Sequence, residues 1–223
     1  MEQFVKKGRT ILNAELVGMN HEVIKISQRV SLAILKVKSA LINQDIDVAL
    51  EVVNEDEEIN NLCIELEKHA YRVIALQQPI SADLRQIIAI IRLIPDLERI
   101  GDHAKSIAKV IPETNGLDVE ESLEQMAEGL GLLKERLDRA TEAFVDRDDS
   151  SAREIAAGDK DIDAVSRQIL REVIREMKQD VDHIKKVSKL LLLAKSVERM
   201  GDYIVNICES TVFLSTGDIV ELL

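Results

Sequence analysis

The chain has 223 residues, 46% hydrophobic and 31% charged, a balance that supports a folded core and excludes disorder. Lys and Arg number 29 against 41 Asp and Glu, and the resulting charge of −12 repels phosphate backbones and anionic lipid. Aromatic residues at 2%, with no Trp, leave few platforms for base stacking, so the composition argues against nucleic acid as a partner.

Three prolines and nine glycines interrupt the chain rarely, and long helices are expected. Apolar residues recur at helical spacing from the N-terminus to the Asn43-Gln44 break, after which Asp45 caps a second helix. That helix shows the stripe Ile59, Leu62, Cys63, Leu66, Ala70, Val73. Pro79 and Ser81 separate it from a third, with Ser81 as the expected cap and Pro95 as an expected kink. The polar stretch from Pro112 to Asp118 is the longest linker, which divides the chain into residues 1–111, a linker over 112–117, and residues 118–223. A fourth helix follows with Leu123, Met126, Leu130, Leu133, Leu137, Ala140, Phe144. Asp146 to Asp149 opens a fifth and Asp180 to Asp182 a sixth. The fold predicted is all-α: six long antiparallel helices in two tandem three-helix bundles.

The halves align with each other. Leu41, Asp45, Ala49, Asp56 and Ile59 match Phe144, Asp148, Ala152, Asp159 and Ile162 at an offset of 103. Glu98-Arg99-Ile100-Gly101-Asp102 matches Glu198-Arg199-Met200-Gly201-Asp202 at an offset of 100. A repeat of this length is a duplicated bundle rather than a solenoid unit.

Chemistry concentrates in acidic residues at matched places. Glu98 and Asp102 share a helix face at a spacing of four, as do Glu198 and Asp202, and both pairs border apolar stripes. Asp56 and Asp159 stand where periodicity asks for an apolar residue, and Asn60 and Asp163 follow one turn later. Packing the second helix of each half on its third would gather these oxygens, a donor set for hard cations such as magnesium, manganese or iron, and for zinc through carboxylates. Against this, Lys105 lies three residues after Asp102 and Lys195 three before Glu198, so ordinary ion pairs would also neutralise them. Gly101 and Gly201, inside predicted helices, suggest close helix approach. His21, His69, His103 and His183 show no common spacing and read as solvated surface side chains. Neither a Glu-x-x-His pair, nor a phosphate-cradling glycine loop, nor a nucleophile–base arrangement is visible.

The longest apolar run, Leu190 to Ala194, lies between Lys189 and Lys195 and falls far short of the ~20 residues of a membrane span. Glu2 and Glu15 break the N-terminal apolar pattern that a signal peptide requires. Cys63 and Cys208 sit in apolar stripes, as buried thiols of a reducing compartment would. A cytoplasmic protein is expected.

At Leu97-Glu98-Arg99-Ile100-Gly101-Asp102-His103-Ala104, at the acidic pairs, and at Gln78-Pro79-Ile80-Ser81-Ala82-Asp83-Leu84-Arg85, the sequence resembles the PhoU family over nearly its whole length. Asn60 departs from the acidic pattern. The resemblance implies two three-helix bundles with surface metal clusters at Asp56, Asn60, Glu98, Asp102, Asp159, Asp163, Glu198 and Asp202. It also implies a homodimeric, non-enzymatic repressor of the phosphate-starvation response, peripheral to the inner membrane, linking a phosphate ABC transporter to a membrane sensor histidine kinase. The alternative on the same carboxylates is a metal enzyme or metal-storage protein.

Overall fold

Apolar stripes that recur every three to four residues produce helices in the computed structural model, which describes residues 2–114, 120–179 and 184–222. In chain order these are α1 (Glu2–Asn43), α2 (Ile46–Gln77), α3 (Ser81–Thr114), α4 (Glu120–Asp146), α5 (Asp149–Ala157), α6 (Asp159–Gln179) and α7 (Ile184–Thr216). Side chains of residues 2–8, 120, 159, 161, 163, 176, 178–179 and 184–187 lie outside the described part.

The duplication is visible down to hydrogen bonds. Gln44 and Arg147, 103 apart, both take the left-handed backbone that ends a helix, with φ of 53° and 58°. Asp45 N then bonds to Ala40 O and Asp148 N to Ala143 O, at 3.0 and 2.9 Å. Asp45 caps α2 by accepting from Val48 N, and Asp148 caps α5 by accepting from Ser151 N. The buried positions of α2 from Ala49 to Ala70 reappear at Ala152, Ile155, Ile162, Ser166, Ile169 and Val173.

Seven helices, rather than six, make up the described residues, because the expected fifth helix divides at Gly158. Gly158 N turns back to Glu154 O and Ile155 O, and an added Cβ would stand 2.4 Å from Arg136 Nη2. The equivalent position in α2 is Glu55, and α2 runs unbroken. The linker also begins later than expected. α3 continues through Pro95 and Pro112 to Thr114, and residues 115–117 of the expected linker lie outside the described part. So does the expected opening of the last helix, at Asp180 to Asp182.

Helices α1–α3 form one bundle and α4–α7 the other. α3 packs along α7 and α1 along α4, so the buried side chains of both halves form one continuous aliphatic cluster. Among the described residues no helix is long and apolar enough to cross a membrane.

Candidate functional site

In the N-terminal half the acidic residues come from adjoining faces of α2 and α3. Asp56 interrupts the buried stripe of α2 between Val52 and Ile59 and is only 2% exposed. A carboxylate at such a depth requires a partner. The partner is Lys105 of α3, whose Nζ lies 2.6 Å from Asp56 Oδ2. Asn60 Nδ2, one turn along α2, donates to the same oxygen at 3.2 Å. Hydrogen bonding to Asp56 holds the Lys105 ammonium above its ordinary pKa, against the opposing cost of desolvation. Asp56 Oδ1 and Asn60 Oδ1 are buried and unpartnered.

The two other carboxylates of this half do not join Asp56 in a group able to hold a metal ion. Asp102 is half-buried and reaches Lys105 through its charge alone. Glu98, also half-buried, lies near enough to Cys63 for its charge to reinforce burial in pushing that thiol up to about 12. Gly101, between them in sequence, is buried on Ile59, yet an added Cβ would meet Ile59 at an ordinary 3.5 Å. Close approach of α2 and α3 therefore does not demand glycine there.

In the C-terminal half Glu198 and Asp202 lie on α7. Glu198 Oε1 accepts from Lys195 at 2.5 Å and Asp202 Oδ2 from Arg199 at 3.1 Å. Both are partly solvated pairs at i,i+3, the kind that contributes little and yields readily to another cation. Asp159 and Asp163 belong to α6, and their side chains lie outside the described part. Among the described residues no three His, Cys, Asp or Glu side chains form a group able to hold a metal ion. On the described N-terminal side the donors do not fit a metal as they stand. One Asp56 oxygen is occupied by Lys105, and the cavity at Asp56 and Gly101 measures ≈ 10 Å³, room for about one water.

Sequence reasoning missed two histidine sites. His69, expected in solvent, is half-buried between carboxylates of α1, with Nε2 2.8 Å from Glu15 and Nδ1 3.1 Å from Glu22. Glu15 and Glu22 are two turns apart on one helix face, and that spacing was the available signal. His103 stacks on Tyr203 with ring centroids 5.8 Å apart. Their equivalence under the offset of 100 was likewise present in the sequence.

The fold and site thus describe a class: an all-helical protein of two related bundles, joined through their third helices, with carboxylates at matched positions along both. The PhoU domain model matches residues 23–111 and 124–211, and the chain belongs to that family. The phosphate-specific transport system accessory protein PhoU homologue of Clostridium acetobutylicum is 32% identical, covering 96% of this chain and 98% of its own. That of Streptococcus pneumoniae is 34% identical, covering 96% and 99%. The crystal structure of the phosphate transport system regulatory protein PhoU from Streptococcus pneumoniae matches with a TM-score of 0.86 at 33% identity, covering 94% of this chain and 99% of that one. PhoU from Pseudomonas aeruginosa matches with a TM-score of 0.85 at 28% identity, covering 92% and 99%. The family is one of accessory and regulatory proteins rather than enzymes.

Proposed function

We propose that this protein is a regulator of phosphate uptake, accessory to a phosphate-specific transport system, which represses the phosphate-starvation response when phosphate is plentiful. One observation carries the reading: the duplicated bundle spans nearly the full length of relatives named as accessory and regulatory proteins of phosphate transport, at 32% and 34% identity. In this reading it is a homodimeric cytoplasmic adaptor that signals from the transporter to a sensor histidine kinase and reaches the membrane through those partners. The alternative of a metal enzyme or storage protein loses ground to the family's regulatory character.

Metal belongs to this proposal in the C-terminal half. Asp159, Asp163, Glu198 and Asp202 offer four carboxylates, and the ion pairs on the last two are exposed enough to open. A hard cation such as magnesium, manganese or iron, or zinc through the carboxylates, would tie α6 to α7 there.

The test is removal of the gene with a reporter for phosphate-starvation genes in phosphate-rich medium. Reporter activity is expected to rise in the deletion and to fall again when the chain is restored. Unchanged expression would sink the assignment.

A further inference from the structure

The two acidic sites are repeats of one another, so the positions where they differ show what each requires. Two differences bear on charge. Position 60 is Asn where the other half has Asp163, which removes one negative charge. Position 105 is Lys where the other half has Val205, and Val205 is buried. Both changes act in the same direction, lowering the demand of the N-terminal site for an external cation.

Geometry agrees with the sequence. Lys105 does not pair with Asp102 on its own helix but crosses to α2, where its Nζ sits 2.6 Å from the 2%-exposed Asp56. The Asn60 amide donates to the same Asp56 oxygen, so that oxygen has two donors already. The oxygens left over, Asp56 Oδ1 and Asn60 Oδ1, are two where a hard cation takes about six. The adjoining cavity of ≈ 10 Å³, lined by Arg29, Val52, Asp56, Ile59 and Gly101 among others, admits about one water and no hydrated divalent ion. An ammonium held on the chain itself competes at an effective concentration in the millimolar range or above.

We infer that Lys105 is a tethered counter-ion that stands in for a metal in the N-terminal half, so that this half is metal-independent and metal binding is confined to the C-terminal half. The second part rests on the metal reading given above; the first stands without it.

The full-length protein, stripped with chelator and titrated with Mn²⁺, tests both. Bound manganese per chain is measured directly. Asp56→Asn is expected to leave the manganese content of the wild type unchanged, and Asp202→Asn to abolish it. Combining Lys105→Met with Asn60→Asp rebuilds the charge pattern of the other half, and bound manganese is expected to rise about twofold. Since that variant strands a buried carboxylate without metal, Lys105→Met with Asp56→Asn serves as the folded, charge-neutral control and should bind as the wild type does. Loss of manganese from Asp56→Asn overturns the inference, as does no gain in the rebuilt variant while the control folds. Wild-type protein that takes up no manganese overturns the C-terminal reading alone, and the rebuilt variant still decides the role of Lys105.

Discussion

His103 and Tyr203 occupy equivalent positions of the two repeats, 100 residues apart, and their rings stack on each other with centroids 5.8 Å apart and planes inclined by 28°. The two halves thus meet through the same position of each repeat, where α3 packs along α7. Asp96 with Asn206, and Arg92 over the ring of Phe213, follow at increasing distance along the same crossing.

Asp96 sits in this crossing at a cost. Burial pushes its carboxyl up to about 6, and the charge of Glu209 adds to the effect, while a hydrogen bond from Asn206 opposes it. A carboxyl whose folded value lies above its unfolded value favours the fold while protonated, and that stability is lost as pH rises from about 4 through about 6. Asp96→Asn keeps an oxygen acceptor for Asn206 and removes the charge. The variant is expected to be more stable than wild type by about 1 kcal/mol at pH 7.5, a gain discounted for partial solvent exposure, and equal to it near pH 4. Urea unfolding at both pH values checks this, and a destabilised variant at pH 7.5 would refute it.

His69 responds to pH with a different partner set. Burial pulls its imidazole down, but hydrogen bonds to Glu22 and Glu15 together outweigh burial, and its pKa rises above 6.5. The protonated ring ties α2 to α1 through both nitrogens. Its contribution is complete below about pH 6.5 and is lost as pH rises through the folded value. His69→Gln is expected to cost about 1 kcal/mol at pH 6, shrinking towards zero at pH 9. A gap that stays constant across this range would show that the imidazolium charge contributes nothing.

Gly101 lies inside α3 with helical neighbours on both sides and room for a Cβ at 3.5 Å from Ile59. Relieved of glycine's backbone entropy, Gly101→Ala is expected to raise stability by up to about 1 kcal/mol. A lower melting temperature would show that α2 and α3 approach more tightly than this spacing allows.

Cys63 and Cys208 are both buried thiols, and the Cys63 thiol is pushed up to about 12 by burial and then by the charge of Glu98. Since the thiolate is the reactive species, neither thiol is expected to react with a disulfide reagent at pH 8 on the timescale of seconds in the native protein, and both should react in denaturant. A fast-reacting native thiol would contradict the burial described.

The architecture was legible in the sequence because it repeats there. Asp45 declared itself as a cap, and Leu41, Asp45, Ala49, Asp56 and Ile59 could each be matched to a copy in the second half. Both signals live within one helix, where spacings of three and four decide which side chains share a face. The division at Gly158 was less visible. A lone glycine in a helical pattern is tolerated, and the Arg136 side chain packed over it comes from another helix.

The sequence by itself determined the all-helical class, the duplication and the matched carboxylates, since each follows from local periodicity or from comparing one half with the other. Only the tertiary structure decided the partners. Spacing along α3 offers Asp102 as the partner of Lys105, but the packing of α3 on α2 delivers its ammonium to Asp56, 49 positions away. His69 was one of four histidines with no common spacing, and the packing of α2 on α1 places it between Glu15 and Glu22. The physical reason is the same in both cases. A long charged side chain is free to choose among several neighbours, and the energetically decisive one is the group buried deepest, whose depth is set by helix–helix register and not by spacing along one helix.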